Sequence, residues 1–323
     1  MATPAPALEP RATKTRIFEP EGTRFRDDFN INSFLFSHNL AGHPLFELSR
    51  LTQLAESLLK SQGPGTLRWK NSDSPVDAGW SQRPPSEQIA NVSDAIQNLD
   101  KSGSWVVLYA IQNDPVYGAL LEQAIDELEV LSGLPLREEI TWKDCYIFMG
   151  SPHAVTPYHV DHETTFLMQI HGDRIARLWD QKDQSLLTNA EIENYYMGDL
   201  GGAVYQEKNE GKAYVYQMDA GKGVHHPGLA PHTYKNGDTY SVAMGIHLCL
   251  KNADRRARAF QANAFLRKLG LHPTPPGQSP WRDRLKISAL SVLDDKKPKT
   301  KFALIRSGAM RLKSRLRFGK GGK

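Results

Sequence analysis

The strongest constraint on the fold is a series of short apolar segments that starts near residue 140. "KDCYIFMG", "TTFLMQIHG", "RIARLWD", "AYVYQMDAG" and "TYSVAMGIHLCL" are rich in β-branched and aromatic residues. Turn pairs separate them, notably Gly172-Asp173, Ala220-Gly221 and Asn236-Gly237. A parallel sheet needs a crossover of a dozen or more residues, usually a helix, between successive strands. This series shows no such helices, so it predicts an antiparallel sandwich or barrel rather than a βαβ fold. Residues 185–212 read as a long irregular insertion, a substrate lid or a mobile loop.

Helical patterns flank the strands, which makes the chain mostly β within an α+β class. In "HPLFELSRLTQLAESLL", Leu45, Leu48, Leu51, Leu54, Leu58 and Leu59 fall near a 3.6-residue period. "KSQGPGTLRWKNSDSPVDAGWSQRPP" reads as loop. "SEQIANVSDAIQNLDKSG" reads as a helix capped by Ser86 and stopped at Gly103, "SWVVLYAIQ" as a strand, and "PVYGALLEQAIDELEVLSG" as a helix with Pro115 in its first turn. After residue 250, "DRRARAFQANAFLRKLG" reads as a helix that "HPTPPGQSP" breaks. A final segment places Phe302, Ile305, Ala309, Leu312 and Leu316 on one narrow stripe. The expected organisation is a disordered lead-in over residues 1–22, a mixed helical and strand region over 23–139 packing on the core, a barrel over 140–250, and a basic helical region and tail over 251–323.

Composition adds two constraints. No run approaches 18 apolar residues, and the N-terminus lacks an apolar signal segment, so neither a transmembrane helix nor a secretory leader is expected. Cys145 and Cys249 are the two cysteines, each in an apolar strand-like run; buried free thiols fit a reducing cytoplasm. The net charge of +4 conceals an asymmetry: residues 251–323 carry +16 and the first 250 carry −12. A basic tail on an acidic body can bind nucleic acid, lie on an anionic membrane surface, or dock on its own body. No DNA-binding motif, aromatic platform or zinc ligand set accompanies the charge, which disfavours nucleic acid.

The chemistry concentrates in "SPHAVTPYHVDHETTFLMQIHGDR", residues 151–174, with four histidines: His153, His159, His162 and His171. His159 and Asp161 are two apart, so in an extended chain their side chains leave on one face and can offer an imidazole nitrogen and a carboxylate oxygen to one ion. The third ligand must come from elsewhere. His232 in "GVHHPGLAPHTYKNG" is the best candidate, at the start of an edge or hairpin strand, with His225 and His226 as rivals. Two histidines and one carboxylate on one side of an octahedron leave three positions open, the facial triad of non-haem Fe(II) oxygenases. His153, His162 and His171 read as structural or surface residues, Thr165 as pocket packing, and Phe166, Met168 and Ile170 as one face of a sandwich core.

These two blocks resemble the core motifs of cupin-like JmjC-domain proteins: T-P-x-H-x-D, a phenylalanine-containing strand, Q-I-x-G-x-K/R, and a Gly turn and Pro before a distal histidine. The resemblance is specific over about residues 146–250. It implies a double-stranded β-helix (jelly-roll, cupin) core with an N-terminal helical elaboration and C-terminal helices. It implies an Fe(II)- and 2-oxoglutarate-dependent dioxygenase, a hydroxylase, with His159, Asp161 and His232 as iron ligands. It also implies that Arg174 and Thr156 anchor the distal carboxylate of 2-oxoglutarate; a forked guanidinium and a hydroxyl donor suit that task. Related hydroxylases carry lysine where this chain has Arg174. The expected partner is a small-molecule or peptide substrate, and pairing into a homodimer is left open. The competing readings are a non-catalytic cupin-like regulator with a nucleic-acid-binding tail and a sugar-binding cupin.

Overall fold

The structure is a computed structural model that describes residues 16–20, 22–78, 91–291 and residue 304. The Ser86 cap and all five residues of the apolar stripe from Phe302 to Leu316 lie outside the described residues. In chain order the elements are β1 (Phe18–Glu19), α1 (Arg24–Asp27), β2 (Phe34–His38), α2 (Leu48–Gln62), β3 (Leu67–Asn71), α3 (Val92–Gln97), β4 (Ser104–Leu108), α4 (Pro115–Ser132) and α5 (Leu136–Glu139). The second half comprises β5 (Ile140–Gly150), β6 (Val155–His159), β7 (Thr164–His171), β8 (Asp173–Leu178), α6 (Asn189–Tyr196), β9 (Tyr214–Asp219), β10 (Lys222–His226), β11 (His232–Asn236), β12 (Ser241–Leu250), α7 (Lys251–Lys268) and α8 (Pro280–Ser291).

The strands form two antiparallel sheets. The larger runs β1-β2-β10-β7-β12-β5-β4-β3, and the smaller runs β6-β11-β8-β9. Alternation along each strand assigns the two faces of the larger sheet. Phe166, Met168 and Ile170 of β7 and Val242, Met244 and Ile246 of β12 face outward, in one core with Leu51, Leu54 and Leu58 of α2 and Leu121 and Ile125 of α4. Leu167, Val224 and Ala243 face inward, against Ala176, Leu178, Met218 and Tyr234 of the smaller sheet. The near-continuous apolar sequence of β7 thus reflects burial on both faces. Where the inward positions turn polar, the sheets enclose a cavity instead of a dry core.

Several local readings need correction. The lead-in ends before residue 17, because Phe18 is fully buried among Phe25, Phe36 and Phe166, and the Ile17 and Phe18 N–H groups donate to the Glu127 carboxylate. The stretch read as loop contains β3, which pairs with β4 and finishes the large sheet. The insertion over 185–212 is not irregular: α6 starts with a capping box, the Thr188 hydroxyl accepting from the Glu191 N–H and the Glu191 carboxylate accepting from the Thr188 N–H. Its Tyr195 and Tyr196 join Phe260 of α7 and Leu304 in a separate apolar cluster. α8 follows the "HPTPPGQSP" break. The α7 segment of the basic region docks on the body, with Arg267 to Glu193 at 2.7 Å and Lys251 to Glu139 at 3.6 Å. Both cysteines are buried free thiols, and among the described residues no helix is long and apolar enough to cross a membrane.

Candidate metal centre

β6 ends at His159, and β11 begins at His232 directly opposite it in the register of the smaller sheet. β11 lies between β6 and β8 rather than at an edge, so both histidines are fixed by neighbours on each side. Asp161 follows two residues after the end of β6. The Asp161 Oδ2 atom is 3.6 Å from His159 Nε2 and 3.8 Å from His232 Nε2. One donor atom from each of the three residues lies within 4.8 Å of the others.

Backbone carbonyls aim both rings. His159 Nδ1 lies 2.7 Å from the Pro157 carbonyl and His232 Nδ1 lies 2.9 Å from the Ala230 carbonyl. Donating Nδ1–H to a carbonyl leaves Nε2 with its lone pair, the form that binds a metal. Burial, and then the His159 ring beside it, pull the His232 pKa down to about 3, so the residue is neutral at physiological pH. Two imidazoles and one half-buried carboxylate converging on one point fit a divalent transition metal.

The three residues line a cavity of about 450 Å³ between the sheets. Its floor beside the triad is a polar row across four strands of the larger sheet. The register places His226 opposite Thr165, Thr165 opposite His247, and His247 opposite Asp144. All four line the cavity. Thr165 Oγ1 and His247 Nδ1 are 3.1 Å apart. The His226 ring sits 4.3 Å from the His232 ring, and its buried Nδ1 has no hydrogen-bond partner. Burial raises the Asp144 pKa to about 6.

The opposite end of the cavity is cationic. Gly172, at φ +70°, makes the turn between β7 and β8; a Cβ there would stand 2.3 Å from the Tyr240 carbonyl oxygen. Two residues later Arg174 enters the cavity wall at 4% exposure. Its Nη2 donates to Ser241 Oγ at 2.7 Å, its plane faces the Tyr234 ring at 5.7 Å, and its Nε is buried without a partner. Among the described residues no carboxylate pairs with it. Burial pulls its pKa down to about 10, which still leaves it charged at neutral pH. Thr156 stands nearby on β6, where its Oγ1 accepts from Trp105 Nε1 at 3.1 Å, leaving its own O–H able to donate into the cavity. A buried guanidinium without an acid is a site for an anionic ligand group.

All five expected site residues therefore line one cavity. Of the rivals, His225 faces the outer core: its Nε2 accepts from the Asn30 N–H, its Nδ1 donates to the Thr165 carbonyl, and Phe34 and Phe166 pack on its ring. His153 is an exposed residue beside Asp238, His171 stacks on Tyr240, and His162 is buried between α6 and α7. The other rival, His226, lines the cavity beside His232, and polar cavity residues absent from the sequence reading include His247, Asp144 and Tyr234. Tyr234 carried a usable signal, two residues beyond His232 on one strand. Asp144 and His247 did too, as ionisable residues inside otherwise apolar strands.

No protein-family model and no curated protein matches the chain. Solved structures do. A structure of Escherichia coli YcfD is 14% identical with a TM-score of 0.49, covering 87% of this chain and 70% of that one. YcfD, described as a ribosomal oxygenase, in complex with cobalt and 2-oxoglutarate is 15% identical with a TM-score of 0.46, covering 82% and 64%. The same protein with cobalt and succinic acid is 14% identical with a TM-score of 0.40, covering 87% and 66%. This chain thus spans about two thirds of the YcfD length. At this identity no chemistry carries across.

Proposed function

We propose that the protein is an Fe(II)- and 2-oxoglutarate-dependent oxygenase, a hydroxylase of the cupin-like JmjC type, built on a double-stranded β-helix. The strand order supports the architecture: β5, β6, β7 and β8 alternate between the two sheets, and so do β9, β10, β11 and β12. The observation that carries the activity is the pairing of two complementary ends in one cavity, a triad of two histidines and one aspartate at one and an unpaired buried guanidinium at the other.

A 2-oxo dicarboxylic acid has matching ends. His159, Asp161 and His232 would hold Fe(II) and leave open positions facing the cavity. Iron bound there supplies the redox chemistry that couples 2-oxoglutarate oxidation to oxidation of a substrate C–H bond. The protein's own work is placement. The Pro157 and Ala230 carbonyls keep the imidazoles in register. Arg174 and Thr156 would fix the far carboxylate. Leu167, Val160 and Tyr146 supply walls that keep bulk water from the reacting centre. The remaining space accepts a small molecule or a peptide side chain. The same reading places the enzyme in the cytoplasm, where Cys145 and Cys249 stay reduced.

The deciding experiment is release of succinate from 2-oxoglutarate by purified protein. Turnover should require Fe(II) and disappear in His159→Ala and Asp161→Ala. Pure, folded protein that neither binds Fe(II) nor consumes 2-oxoglutarate would sink the proposal.

A further inference from the structure

We infer that His162, Cys249 and Asp254 form a second metal site, suited to a zinc-class divalent ion and independent of the reaction assigned to the first. Asp161 and His162 are consecutive, but their side chains part company: Asp161 lines the cavity, whereas the His162 ring points away from it to α6 and α7. There His162 Nε2 lies 2.9 Å from Asp254 Oδ1 in the first turn of α7. Cys249, at the end of β12, completes the group, with one donor atom of each residue within 4.8 Å of the others. Tetrahedral zinc, with bonds of about 2.0–2.3 Å, sets neighbouring ligand atoms roughly 3.3–3.7 Å apart, so the ion requires only small side-chain adjustments.

The surroundings match what an imidazole ligand needs. His162 Nδ1 is 2.7 Å from the Tyr196 hydroxyl, and the His162 N–H donates to the Tyr195 hydroxyl at 3.1 Å. With a metal on Nε2 in place of the Asp254 hydrogen bond, the Tyr196 hydroxyl can accept Nδ1–H. That partnership fixes the ring and leaves Nε2 as donor, the outer-shell device of structural zinc sites. His162 and Cys249 are buried, while the Asp254 side chain is 28% exposed. Solvent therefore reaches one side, which gives the ion an entry path and a water for the fourth position. A thiolate in the set favours zinc or cobalt over magnesium or calcium. Binding converts the Cys249 thiol to thiolate and releases its proton to solvent.

The test uses the full chain, stripped of metal and titrated with Co(II) alone. In a His159→Ala/Asp161→Ala double variant, which removes the first site, about one equivalent should still bind and produce a thiolate-to-cobalt charge-transfer band. Adding Cys249→Ser should abolish the band, and adding Asp254→Asn should weaken binding at least 10-fold. The unmodified chain supplies a second readout: Zn(II) should slow alkylation of Cys249, located by peptide mass mapping, at least 10-fold while leaving Cys145 unaffected. Cobalt binding without a thiolate band, or Cys249 alkylation indifferent to zinc, overturns the assignment.

Discussion

The two ends of the cavity solve opposite electrostatic problems. At the triad end, buried imidazoles surround a carboxylate, and desolvation keeps His226 and His232 neutral. At the Arg174 end, a cation stays buried with a hydroxyl and an aromatic face for company and, among the described residues, no acid. One end has lone pairs to give and the other has charge to neutralise. Protein groups alone therefore satisfy neither end. A ligand with a chelating head and an anionic tail answers both, which makes the two ends separable by mutation.

The largest effect is expected at the triad. Asp161→Ala or His232→Ala should weaken Co(II) or Fe(II) binding by about 100-fold or more, beyond the 10- to 100-fold typical of outer-shell partners. Calorimetric titration of the metal in a Cys249→Ser background, with no cosubstrate present, reads this directly. An unchanged affinity in both variants would show that the triad does not hold the metal.

Next comes the cationic end. Truncating one partner of a buried, hydrogen-bonded charge pair costs about 2–5 kcal/mol, or roughly 30-fold to several-thousand-fold in affinity. Arg174→Leu should therefore lose that much 2-oxoglutarate affinity while binding the metal as before. Without ligand it should also melt at a higher temperature than the parent, because an uncompensated buried charge has been removed. A variant that loses metal and cosubstrate together would show that the two ends are not independent.

A third test contrasts two histidines that are close in sequence. Burial pulls the His225 pKa from 6.5 to about 3, as it does for His232. Between those two pH values the unfolded chain carries a proton that the folded chain refuses. Stability therefore falls as pH drops through that window, by about 1.4 kcal/mol per pH unit for each residue. His225→Gln should flatten the slope of unfolding free energy against pH between 6 and 4 by about that amount and leave metal affinity at pH 7 intact. His232→Ala should change both. Urea titrations of the metal-free protein at several pH values decide it.

What was readable in advance follows the same division. β5, β7, β8, β9 and β12 declared themselves because alternation and turn pairs are local signals. His159 and Asp161 did so because a spacing of two on an extended chain is a geometric statement. β10 did not, since "GVHHPG" reads as a turn until Leu35 and Leu167 are seen on either side of Val224. The polar row from His226 to Asp144 depends on four strands separated by up to 103 residues meeting in one register, which no window along the chain contains. Phe18 lacked a signal for a related reason: its burial depends on rings of other elements, from Phe25 nearby to Phe166 far along the chain.

The smallest expected effect concerns support rather than chemistry. α6 brings the Tyr195 and Tyr196 hydroxyls to the backbone and ring of His162, the residue after the Asp161 ligand. Its start depends on the capping box between Thr188 and Glu191. Thr188→Ala should cost about 0.5–2 kcal/mol of stability. The loosened helix should relax the clamp on His162 and let Asp161 wander, lowering metal affinity at the first site by less than 10-fold. Urea unfolding and the same calorimetric metal titration measure the two numbers on one preparation. A loss of metal affinity as large as that of Asp161→Ala would mean that α6 belongs to the centre itself. The boundary drawn between the chelating end and its scaffold would then have to move outward to include the insertion.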